Sequence, residues 1–246
     1  MNPSDVAPMV QPSLPTAAAF VMIVLGIVGA FVFAVRWTGL RRDDASAVVR
    51  RDTLRAAGGA TLYLAVTAGV AASGVLARDG TPPPLMVFLV ATNVVSIGVA
   101  FSKLGTRLVR GLPMAALVGF QAFRLPLELI LHHWYEQGVL PVTMTYAGRN
   151  FDIISGVLGT VVLVWAIRGS VPRPVVRVAN LVGFALLLRV ASLAVLSSPI
   201  PIRQYFEGPP VQLALHVPTV WIVPFCVGGA LAAHLMAFRA FRRRPG

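Results

Sequence analysis

Long apolar stretches recur along this chain, each separated from the next by a short connection that often carries arginine. An apolar run of about 18 residues or more is long enough to cross the hydrocarbon core of a bilayer as a helix. Six runs of that length and one marginal run, the fifth, are read: Thr16–Val35, Ala56–Ala77, Leu85–Ser102, Leu112–Trp134, Ile153–Ile167, Val178–Ser197 and Val217–Phe238. Only helices and closed barrels satisfy every backbone polar group in lipid, and these runs lack the alternation of barrel strands. The expected fold class is therefore an all-α integral membrane protein, a bundle of seven transmembrane helices. The fifth run is the shortest.

Composition agrees. Of 246 residues, 57% are hydrophobic and 12% charged, against about 25% charged in a soluble domain. The net charge of +12 could suggest a nucleic-acid partner, but no recognition motif accompanies it. The basic residues lie where they hold cytoplasmic loops against anionic lipid, so the partner expected is the bilayer. Sixteen of the 21 basic residues fall in the connections after the first, third and fifth runs and in the tail. Three, Arg78, Arg149 and Arg203, lie on the other side, and Arg124 and Arg189 lie within runs. By the positive-inside rule the N-terminus is exterior and the C-terminus cytoplasmic. The organisation expected is a short exterior segment over 1–15, a transmembrane domain over 16–238 and a basic tail over 239–246. The arginine-rich, Ala/Val/Gly-rich composition points to a bacterial inner membrane as the location.

The fourth run carries chemistry. Gln121, Arg124, Glu128 and His132 recur at helical spacing and share one face, with Pro126 expected to kink the helix. A charge at mid-membrane costs at least about 2.5–3.5 kcal/mol on insertion scales, so it faces protein or water. Two readings are open: a polar cavity opening to the exterior, or an Arg124–Glu128 pair that only fixes packing. Arg189, at similar depth in the sixth run, adds a second buried cation and with it the prospect of a small anionic ligand or lipid headgroup. Asn93 in the third run either bonds between helices or joins the cavity. Asn150 and Asp152 precede the fifth run, where they could cap it or belong to a loop folded over the cavity mouth.

The stretch Phe123-Arg124-x-Pro126-x-Glu128, then His132, Gly138, Pro141, Met144-Thr145 and Gly148-Arg149-Asn150-Phe151-Asp152, resembles an uncharacterised family of bacterial inner-membrane proteins. Val223-Pro224 followed by His234 is similar too. The resemblance implies a bacterial multi-span protein and no activity.

Other classes find less support. His132, His133 and His216 near the exterior ends of their runs would permit a haem pair, but no metal-ligand motif is present. No cofactor is expected. A retinal protein needs a lysine in the last span, and Lys103 is the only lysine. The lone cysteine, Cys226, excludes an intrachain disulfide. The leading expectation is binding or transport of a small anionic or amphiphilic molecule by Arg124, Glu128, Arg189 and Asn93, with His132 and Asp152 at the mouth. A membrane-embedded enzyme or redox protein, and a structural subunit, are the alternatives.

Overall fold

The computed structural model describes residues 7–242, and among these the chain is helical, with no strand. The outermost parts of the expected N-terminal segment and basic tail, 1–6 and 243–246, lie outside the described residues. Six helical segments are long and apolar enough to cross a membrane: Leu14–Leu40, Ser46–Ala72, Pro84–Phe101, Met114–Glu136, Arg173–Ser197 and Thr219–Phe241. Ile153–Arg168 is apolar but shorter, at 16 residues, or about 24 Å of helix. Large apolar side chains are exposed along their outer faces, among them Met22, Phe33, Leu62, Val90, Val94, Ile167 and Leu188. Such a surface suits lipid and would aggregate in water. This is the build of a multi-pass membrane protein.

We label the helices α1 (Leu14–Leu40), α2 (Ser46–Ala72), α3 (Pro84–Phe101), α4 (Lys103–Gly111), α5 (Met114–Gly119), α6 (Arg124–Glu136), α7 (Ile153–Arg168), α8 (Arg173–Ser197) and α9 (Gly228–Phe241). The last span sits centrally, with α1, α3, α5 and α8 packed around it. Two spans are irregular, each beside a proline. A tight 3-10 turn over Phe120–Phe123 joins α5 to α6, just before Pro126, which has no N–H to offer the Ala122 carbonyl. A wide π turn, Val223–Val227, contains Pro224 and leads into α9.

Glycines set how closely the irregular spans pack. A Cβ on Gly156 would lie 2.3 Å from the Leu125 nitrogen, and one on Gly159 would lie 2.6 Å from the Ala122 nitrogen. α7 therefore meets the α5–α6 break backbone to backbone, as small residues permit between membrane helices. Gly228 brings α9 equally close to the Ser96 hydroxyl of α3.

α4 is a short helix where the sequence reading had only a connection. Its Arg107 reaches Asp52 at 2.6 Å and Asp44 at 3.3 Å, pinning the α1–α2 turn. Arg239 of α9 donates to the Ala100 carbonyl and, at 2.7 Å, to the Thr106 hydroxyl. These arginines thus tie one end of the bundle together.

Candidate functional site

Arg124 and Glu128 of α6, with Gln121 of the turn before it, point inward, away from lipid. Gln121, Arg124 and Glu128 are each no more than 2% exposed. Arg124 forms an ion pair with Asp152 and donates to the Gly183 carbonyl of α8 at 3.3 Å. Glu128 takes a different partner: the Asn150 side-chain amide donates to its Oε2 at 2.8 Å. The Arg124–Glu128 ion pair of the packing reading is not formed, and Arg124 pairs with Asp152 instead, because the 137–152 connection folds inward and delivers Asp152 to the guanidinium.

That connection is ordered by its own bonds. Asn150 also donates to the Met144 carbonyl at 3.1 Å and accepts from the Asp152 amide at 3.0 Å. Ser155 donates to Asp152 Oδ1 at 2.8 Å. Asp152 occupies the N-cap position of α7, but its carboxylate accepts no backbone capping bond. Asn150 does accept a backbone N–H where α7 begins, that of Asp152, and its amide nitrogen at the same time joins the connection to Glu128. Val139, Leu140, Thr143, Met144 and Thr145 of the same segment are buried, so it is a packed roof.

Beneath the roof lies a cavity of about 120 Å³. Its polar lining comes from Asn93, Arg124, Glu128, Asp152 and Ser198, and the rest is largely aliphatic, including Leu127, Leu187, Val190 and Val223. Cys226 also faces it. Asn93 donates to the Leu89 carbonyl of its own helix at 2.8 Å, so its amide bonds within α3 and still borders the cavity. Glu128 makes no ion pair among the described residues. The cavity thus combines a largely apolar body with an Arg124–Asp152 pair and a second carboxyl group, Glu128, held only by Asn150.

Four of the six residues singled out from sequence converge here: Asn93, Arg124, Glu128 and Asp152. Arg189 and His132 do not. Arg189 is exposed on the outer face of α8, where it donates to the Arg149 carbonyl at 2.9 Å and lies over the Phe151 ring. The second buried cation expected from depth alone is therefore not in this cavity. Rotation about the helix axis explains it, since Gly183, Leu187, Val190 and Ala194 form the inward stripe of α8 and residue 189 falls off it. His132 stacks on Tyr146 with ring centres 4.4 Å apart and lies 3.7 Å from Glu136.

A second polar group escaped sequence reasoning. His234, fully buried, shares a 2.8 Å hydrogen bond with Asn180. Its ring also sits against Gly183, where a Cβ would come within 2.9 Å of it. Helical periodicity could have placed Asn180 and Gly183 on one face of α8, but only the fold shows His234 opposite them. As for the other histidines, His133 bonds Glu136 at 2.8 Å, and burial holds His216 below the ordinary imidazole range. No group of three His, Cys, Asp or Glu side chains among the described residues could hold a metal ion.

Compared with known protein families, with curated proteins and with solved structures, the chain matches none.

Proposed function

We propose that this chain is a seven-span protein of a bacterial inner membrane, N-terminus outside and C-terminus in the cytoplasm, that binds a small amphiphilic molecule in the cavity beneath the 137–152 roof. The observation that carries this reading is the buried carboxyl group of Glu128, which borders a largely aliphatic cavity and makes no ion pair among the described residues, the nearby Arg124 being taken by Asp152. A buried carboxyl group with few partners is costly, and a ligand group that bonds to it recovers part of that cost. An ammonium or a strong hydrogen-bond donor is the matching head group, and an alkyl chain suits the remaining lining.

The geometry favours this over the small anion also considered. Arg124 is already held by Asp152 and the Gly183 carbonyl, and Arg189 lies outside the cavity. No free guanidinium is left there to receive an anion.

Seven spans require Ile153–Arg168 to cross as well as the six longer segments. Its 16 residues fall a few ångströms short of a core of about 30 Å, a mismatch that local thinning or flanking residues accommodate. The arginine distribution supports the crossing, because it alternates through every connection only if α7 spans.

The test is native mass spectrometry from mild detergent on the wild type beside Glu128→Gln. The expected result is a discrete bound amphiphile in the wild type, weakened at least about tenfold in the variant, as suits loss of a hydrogen bond to a charged group. No retained mass in either protein would defeat the reading.

A further inference from the structure

The walls of the cavity are unequally closed. α8 packs on α7, α7 on α5 and α6, α6 on α1, and α1 on α2. α3 and α8 both pack on the last span but have no comparable contact with each other. Yet both line the cavity, α3 through Leu89 and Asn93, and α8 through Leu187, Val190, Ala191, Ala194 and Val195. A slot therefore runs between α3 and α8, its floor formed by the last span.

The depth of the slot decides what reaches it. Asn93 lies nine residues into the 18-residue α3, about 14 Å from its start, which is mid-membrane. Ala191 lies six residues before the end of α8, or about 9 Å. Both are partly exposed. Around them Val90, Val94 and Leu188 are more than half exposed, so the surface flanking the slot is apolar. Water does not bathe such a surface at that depth, and lipid does.

We infer that the cavity is entered sideways from the bilayer between α3 and α8, and that its occupant is a membrane amphiphile with an amine head group. The inference rests on the amphiphile reading above, adds the route and narrows the head group to an amine. The ammonium passes Asn93 and pairs with Glu128, while the alkyl chain stays in the slot and extends into the bilayer. Asn93 fits this path, since its amide oxygen makes no hydrogen bond among the described residues while its nitrogen is held by Leu89. A cavity of about 120 Å³ suits a compact head group and leaves the chain outside.

The probe is a long-chain alkylamine bearing a diazirine in its chain, incorporated in phosphatidylcholine vesicles with the protein and cross-linked by light. Adducts are expected to concentrate on Leu89, Asn93, Ala191 and Ala194. In Ala191→Trp, which fills the slot, they should fall about tenfold, equivalent to ~1.4 kcal/mol of lost occupancy. Leu89→Trp blocks from the opposite wall, so failure of one variant to fold leaves the test intact. Ile167→Trp, on the lipid-facing surface of α7 and away from the slot, should leave the pattern unchanged. Adducts spread over every lipid-facing helix and indifferent to both blocking variants would overturn lateral entry. The same amine added to detergent-solubilised protein separates the two readings. Stabilisation of wild type and Ala191→Trp alike, with indifferent adducts, would leave the cavity reading standing and remove the slot. No stabilisation and no concentrated adducts would remove both.

Discussion

Arg124 closes on Asp152, 28 positions along the chain, and not on Glu128 one turn away on its own helix. The choice has two consequences. It locks the 137–152 roof onto α6, and it leaves Glu128 facing the cavity with only Asn150 as a partner.

The first consequence is testable by a double-mutant cycle. Asp152→Asn should destabilise the protein by about 3–5 kcal/mol, the usual result of orphaning one member of a buried pair. Arg124→Met should cost a comparable amount. The double variant should lose clearly less than the sum, because neither charge is then stranded. Thermal unfolding in detergent reads the coupling, and additive losses would contradict the pairing.

Helix contact through glycine gives a second prediction. Gly156→Ala and Gly159→Ala would each force a methyl group into backbone atoms of the α5–α6 break, and each should cost about 3 kcal/mol, the upper end of overpacking. Gly58→Ala is the contrast, with no atom within 4 Å of the new methyl. It should be neutral or stabilising by about 0.5–1 kcal/mol through helix propensity alone. Melting temperatures of the three variants decide the matter.

Topology supplies a third. Alkaline phosphatase fused after Gly80, Gly138 or Gly208 should be active, and fused after Asp44, Gly111 or Gly169 inactive. The informative pair is Gly169 and Gly208. If α7 does not cross, activity moves to the fusion after Gly169 and disappears from that after Gly208.

The sequence was readable where one dimension suffices. Apolar runs locate the long helices, and the spacing of Gln121, Arg124 and Glu128 puts them on one buried face, as found. Asp152 was visible as a polar outlier beside a span. Azimuth was less legible: Arg189 has the depth of a site residue but the wrong rotation about α8, and depth is all that residue counting supplies. Asn150 shows a further limit. Its place before a helix suggests a cap, and its oxygen does take the Asp152 amide there, but the bond its nitrogen makes to Glu128 is a tertiary contact that position alone does not show. The α2 helix begins ten residues before the expected span, at Ser46, because a helix extends beyond lipid into the arginine-rich interface without any break in hydrogen bonding. α4 was hidden for a related reason, since it is too short and too polar to register as a span.

Whether Glu128 selects an amine-headed amphiphile is read by comparing thermal stabilisation by decylamine, decanol and decanoate in the wild type and in Glu128→Gln. Equal chain lengths hold the apolar contribution constant, so differences report the head group. Decylamine should stabilise the wild type most and decanoate least, and the amine's advantage should disappear in Glu128→Gln. Stabilisation by decanoate equal to or greater than that by decylamine in the wild type would contradict that selection and restore the anion as the ligand.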